Sequence, residues 1–137
     1  MRQDLCVQLK NQPILEDFLI TLEDLCLRSM DIFIDFFAVN MSFQDPVHRV
    51  SGRDAMYNIY LVRLKLLGNT HYRVDDFAWG RKAGMLYFHW EINMGDRCSD
   101  GMTELCFTPD QKIISYKEFW SGESPLDCKA YKKAIFG

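Results

Sequence analysis

No cysteine pair in this chain is spaced C-x-x-C, no two histidines stand at metal-ligand spacing, and no apolar run approaches the ~20 residues that a bilayer crossing needs. Each absence excludes something. The five cysteines (Cys6, Cys26, Cys98, Cys106, Cys128) are odd in number. They read as reduced, buried thiols of a cytosolic protein rather than a disulfide framework. His48, His71 and His89 share no ligand spacing with one another or with the cysteines, so neither a metal site nor another cofactor is expected. A basic excess is missing too. Sixteen Lys and Arg stand against nineteen Asp and Glu, a net charge of −3, which lacks the footprint of a nucleic-acid binder. The runs 129–133 and 63–65 are short, interrupted and read as solvated faces. Without a signal-peptide-like apolar core at the N-terminus, the expected location is cytoplasmic and no membrane partner is expected.

Aromatics are plentiful. Ten Phe, six Tyr and three Trp among 137 residues exceed what packing a small core requires, and they suit either a wide apolar cavity or an apolar subunit interface. The length suits one domain over residues 1–137, with 1–13 as a polar N-terminal extension ending at Pro13.

From Ile14 onward, Leu15, Phe18, Leu19, Leu22, Leu25 and Cys26 recur at helical spacing. A second helical piece over 30–38 places Ile32, Phe33, Phe36 and Phe37 on its inner side. A third helix, 53–67, buries Met56, Ile59, Tyr60, Leu67 and the stem of Arg63, and Gly68-Asn69 ends it. Strands follow. Segment 72–79 slips in its alternation at Asp75-Asp76, which predicts a bulge, and 80–84 is a hairpin connection. Strand 85–92 sets Leu86, Phe88, Trp90 and Ile92 on one face and Met85, Tyr87, His89 and Glu91 on the other. Residues 95–101 read as a loop. Strand 102–107 turns Thr103, Leu105 and Phe107 inward, and strand 112–120 does so with Ile114, Tyr116, Glu118 and Trp120. A polar link over 121–125 leads to a short amphipathic tail. Helices first and strands last is an α+β pattern, with helices on one face of a curved antiparallel sheet.

Between the helical third and the strands lies S-F-Q-D-P-V-H-R-V-S-G-R-D. Pro46 disfavours helix at Asp45, so Asp45 sits at a strand end or turn. Ser51 and Asp54 have the spacing of a capping box opening the third helix. Asp45 is either an Asx-type turn residue, the commoner use of Asp-Pro, or an acid with chemical work. His48 beside it reads as an exposed loop histidine, with a proton partner of Asp45 as the alternative.

The order helix–helix–(F-x-D-P)–Gly–helix–four strands resembles the SnoaL-like branch of the nuclear-transport-factor-2-like superfamily, which includes ketosteroid isomerases and polyketide cyclases. Trp90, G-M-T-E-L-C-F (101–107), Lys112-Ile113, Y-K-E-F-W (116–120) and the Tyr131…Gly137 ending carry the likeness over residues 14–137. It implies a cone: a curved antiparallel sheet with three N-terminal helices on its concave face, enclosing an apolar pocket, and a homodimer through the outer sheet face. The pocket would be lined by Leu86, Phe88, Trp90, Leu105, Trp120, Phe33, Tyr57 and Tyr60. Asp45 matches the isomerases' general base, Glu118 an acid of the cyclase-like pattern, and Tyr116 or Thr103 would orient a carbonyl. The pattern is also broken: the isomerases' oxyanion tyrosine falls on Thr21, their protonated aspartate on Thr103, and the Asp that usually follows the tryptophan is Ser121.

Two functions follow as expectations. One is an isomerase- or cyclase-type enzyme in which Asp45 moves a proton on a planar, apolar, carbonyl-bearing small molecule. The other is non-catalytic: either a domain that binds an apolar ligand in the same cavity without the donor geometry, or a dimeric scaffold, in which Asp45 is tied up by backbone N–H groups or an arginine. The structural reading of Glu118 pairs it with Arg49 or Arg53.

Overall fold

The computed structural model describes residues 12–68, 71–94 and 97–120. The side chain of Leu67, Asn69, the 121–125 link, the 131–137 ending, Cys6 and Cys128 lie outside the described residues.

Helix α1 (Pro13–Glu23) opens on a proline, whose missing N–H costs nothing in a first turn. It buries Leu15, Phe18, Leu19 and Leu22. A 3-10 turn (Leu27–Ser29) follows, closed by reciprocal bonds between Cys26 and Ser29. Helix α2 (Met30–Ile34) is a single turn. The expected helix to residue 38 therefore fails: strand β1 (Phe37–Gln44) begins at Phe37. Phe36 and Phe37 satisfy a helical and an extended pattern equally. The sheet decides between them, because Ile113 N–H donates to the Phe36 carbonyl at 2.9 Å and Phe37 is fully buried. Ile32, expected inward, is 60% exposed.

Strand β2 (Arg49–Ser51) runs back along β1, with Ser51 opposite Ser42. That pairing takes Ser51 away from the capping role expected of it. Gly52 is the N-cap of helix α3 (Arg53–Leu67) instead, at φ +94°, a conformation that favours glycine. Strands β3 (His71–Trp79), β4 (Met85–Met94), β5 (Arg97–Phe107) and β6 (Ile113–Trp120) complete a six-stranded sheet in the order β2-β1-β6-β5-β4-β3. Neighbours are antiparallel except β1 and β6, which run parallel. Among the described residues this is the α+β architecture expected, three helices on a curved, open sheet, with one parallel pair the sequence pattern did not show.

The bulge in β3 falls between Val74 and Asp76, where Asp75-Asp76 breaks the alternation. Residues 97–101, expected in a loop, extend β5 and pair with β4 from Met94 to Trp90. Gly101 is required there: a Cβ would lie 2.4 Å from the Trp90 ring. A register shift at Cys106/Phe107 resets β6, so Ile113 rather than Ile114 points inward. The described cysteines are free, and none is buried as expected: Cys98 is exposed, Cys26 and Cys106 half-buried.

Aromatic rings fill the concave side. Phe18 contacts Phe33, Phe36, Phe37, Phe88 and Tyr116 at centroid distances of 5.4–6.4 Å. Phe33 lies 5.0 Å from Tyr60, and Phe43 stacks on Tyr116. No helix of the described residues is long and apolar enough to cross a membrane.

Candidate functional site

Asp45 follows directly on β1, and its own backbone begins the site. Its N–H donates to the His48 carbonyl at 3.0 Å. Its Oδ1 accepts the backbone N–H groups of Val47 (2.9 Å) and His48 (2.6 Å). This is the Asx-type turn that Asp-Pro favours. The same carboxylate also reaches inward. His48 Nδ1 stands 3.0 Å from both of its oxygens, and Arg63 Nη2 donates to Oδ2 at 2.9 Å. His48 is thus buried, at 3% exposure, and not the exposed loop residue expected.

Arg63 joins two acids. Its Nη2 also donates to Glu118 Oε1 at 2.5 Å and its Nη1 to Oε2 at 3.2 Å, a two-point grip suited to a planar guanidinium. Tyr60 donates to Glu118 Oε2 at 2.8 Å, and Arg63 Nη1 reaches the Tyr72 hydroxyl at 3.3 Å. The guanidinium stacks over the Tyr60 ring, 4.6 Å from its centroid. Asp45, Arg63 and Glu118 are each 3% exposed or less. Glu118 therefore pairs with an arginine, though neither Arg49 nor Arg53. Arg63 is buried to its guanidinium, where the helical pattern predicts burial of its stem alone. The signal was present: 56, 59, 60 and 63 form one helical stripe, and an arginine on an apolar stripe needs a buried counter-charge.

The remaining expected residues divide. Leu86, Phe88, Trp90, Thr103, Leu105, Tyr116 and Phe33 are buried on the concave side. Trp90 donates its indole N–H to Thr103 Oγ1 at 2.9 Å. Tyr57 is half-buried and points its hydroxyl to Asp31 (3.4 Å), in an exposed contact away from the Asp45–Arg63–Glu118 cluster. Tyr116 Oη and Trp120 Nε1 are buried without a well-formed hydrogen bond among the described residues. Burial, then the negative charge of Glu118, raises the pKa of Tyr60 and of Tyr116 well above the tyrosine range. Burial raises that of Tyr72 as well. All three remain neutral hydroxyls at physiological pH. Among the described residues no set of three His, Cys, Asp or Glu stands together as metal ligands.

On the opposite sheet face, His89 bridges Asp75 (2.7 Å from Nδ1) and Asp100 (3.0 Å from Nε2). The bond to Asp100 is the larger cause raising its pKa above the ordinary value of 6.5, and partial burial opposes it. A folded-state pKa above the unfolded one means the imidazolium's contribution to stability is fully present below the unfolded value. It is lost as pH rises through the folded value. An NMR titration is therefore expected to place the His89 midpoint above 6.5, and Asp100→Asn to lower it.

Neither a protein-family profile nor a curated protein matches the sequence. Solved structures do match in shape. A nuclear-transport-factor-2-like protein of unknown function from Exiguobacterium sp. 255-15 superposes with a TM-score of 0.67 at 13% identity, over 79% of this chain and 98% of that one. An epoxide hydrolase/cyclase-like enzyme with a role in pyran-ring formation in the polyether salinomycin gives 0.64 at 17% identity, over 83% and 92%. A de novo designed protein with a curved β-sheet gives 0.67 at 10% identity, over 99% and 98%. Others of this shape are candidate SnoaL-like isomerases and polyketide cyclases. The chain has the nuclear-transport-factor-2-like, SnoaL-like cone fold.

Proposed function

We propose that this chain is a non-catalytic cone-fold domain whose concave interior is a locked structural core and whose working surface is the outer sheet face, where two copies associate. One observation carries the reading: the Asp45 carboxylate already accepts from Val47, His48 and Arg63. A general base needs an oxygen within reach of the substrate's proton, and here that reach is spent on the protein.

The outer face offers Tyr87, Met102 and Phe119, 36–49% exposed, with Met102 opposite both His89 and Phe119 in the sheet register. Glu104 and Lys117 sit opposite each other beside them, so a two-fold contact can set acid against base around an apolar centre.

The second reading is the isomerase- or cyclase-type enzyme, with Asp45 as base, Glu118 as acid and Tyr116 or Thr103 orienting a carbonyl. What favours it is the pair of acids on one guanidinium, with Tyr116 Oη and Trp120 Nε1, which make no well-formed hydrogen bond among the described residues, on the same strand as Glu118.

Sedimentation and a thermal-shift screen separate the two. The scaffold reading expects a dimer that Phe119→Lys converts to monomer, no stabilisation by planar apolar ketones, and a loss of about 1–3 kcal/mol for Asp45→Asn alone. Stabilisation by such a ketone that Asp45→Asn abolishes would overturn it in favour of the enzyme.

A further inference from the structure

Away from the buried cluster, the start of α1 and the far ends of β3 and β5 enclose a surface groove of about 390 Å³. Its walls include Ile14, Leu15, Trp79 and Phe107, with Gln12 and Gln111 at its polar edge. Trp79 is 47% exposed, an expensive placement for an indole. Its orientation is nonetheless held: Nε1–H donates to Gln12 Oε1 at 2.9 Å. Trp79 and Phe107 stand 6.2 Å apart at 44°, forming a V-shaped aromatic wall.

Gln111 is the one non-glycine residue with a positive φ (67°) among the described residues. The turn around it imposes that geometry. Gln111 N–H donates to the Thr108 carbonyl at 2.9 Å, Thr108 N–H to the Lys112 carbonyl at 2.7 Å, and Lys112 N–H to Thr108 Oγ1 at 3.1 Å. The Thr108 hydroxyl also bonds Asp110. A strained residue held at the lip of a cleft by a fully bonded turn is the kind of placement functional sites show.

We propose that this groove binds a neutral, flat, ring-bearing small molecule that stacks on Trp79 and takes a hydrogen bond from the Gln111 carboxamide. The size is at the low end for small-molecule pockets, roughly 300–1,000 Å³, room for one or two fused rings and too little for a helix. Among the described residues no lining side chain is charged, so an ionic ligand would lose its hydration without gaining a partner from them. The site is separate from the Asp45 cluster and stands whether or not that cluster is catalytic.

The test is an amide and indole NMR titration of the full chain with 2-naphthol, a neutral two-ring probe, beside anionic 2-naphthalenesulfonate. Saturable shifts of the Trp79 indole N–H and the Gln111 side-chain amide are expected, with the sulfonate at least tenfold weaker. Trp79→Ala should weaken 2-naphthol at least tenfold. Gln111→Gly relieves the left-handed backbone and so keeps the fold, and it should weaken the probe several-fold. That variant decides the matter if Trp79→Ala does not fold. The proposal is overturned if the shifts do not saturate, if Gln111→Gly binds like wild type, or if the sulfonate binds equally. It is also overturned if 2-naphthol binds only after residues 1–11 are deleted, because the groove then belongs to the chain's own N-terminal segment. Groove signals that move with protein concentration alone would assign it to a second copy and overturn it equally.

Discussion

Arg63→Met is expected to destabilise the domain by about 3–5 kcal/mol, since breaking a buried ion pair by removing one partner strands the opposite charge. Here one substitution strands two, Asp45 and Glu118, both in the protein interior. Methionine nearly matches the lost volume, so a cavity is not the main term. The loss is a large part of the ~5–15 kcal/mol that holds a domain of ordinary stability together. Urea denaturation reads it as a lower midpoint with an unchanged slope. Combining Arg63→Met with Asp45→Asn and Glu118→Gln should recover much of the loss, because neutral groups no longer need the guanidinium. If the triple variant is no better than Arg63→Met alone, charge is not what Arg63 supplies, and its stacking on Tyr60 and hydrogen bond to Tyr72 carry the weight instead.

Phe18→Ala ranks beside it, with an expected loss of about 3–5 kcal/mol from lost burial plus the cavity left behind. Phe18 is fully buried and touches rings on α2, β1, β4 and β6 as well as Phe36 in the turn before β1. It is the plug between helix α1 and the concave sheet face. The variant is therefore expected to bind benzene, with a rise in Tm that wild type does not show, as apolar engineered cavities do. A loss below about 1.5 kcal/mol would mean that α1 settles into the gap, and benzene should then have no effect.

The readable parts of the fold were those where one period dominates. The α1 stripe from Leu15 to Leu22, the α3 stripe through Met56 and Tyr60, and the β4 face of Leu86, Phe88 and Trp90 each match burial residue by residue. The β3 bulge was legible because two consecutive aspartates cannot both follow the alternation. Failures came where local pattern is neutral and distant partners decide. Phe36-Phe37 entered the sheet through Ile113, 76 residues on in the register of the parallel pair, and nothing near residue 37 announces that strand. His48 looks like a loop histidine until the Asp45 turn folds it inward. Ser51 and Asp54 have capping-box spacing, but the strand claimed Ser51 first. Asp45 and Glu118 are legible as inward acids, while local pattern buries only the stem of Arg63, the cation between them, and leaves its head in solvent.

The parallel pairing of β1 with β6 also fixes when this molecule can become itself. Tyr60 and Arg63 lie 58 and 55 residues before the Glu118 that they hold, and β1 has no partner on that side until β6 arrives. During synthesis the helices and the hairpin of β3 and β4 can form early, and Asp45 can meet Arg63 across 18 residues, but the Glu118 half of the ion network is missing until nearly the whole described chain has emerged. Contacts this distant in sequence slow folding. Meanwhile β1 presents Phe37, Met41 and Phe43 on an open edge, the kind of surface that invites a chaperone or a wrong partner. Strand β6 thus acts as a timer: the completed ion network reports that it is home.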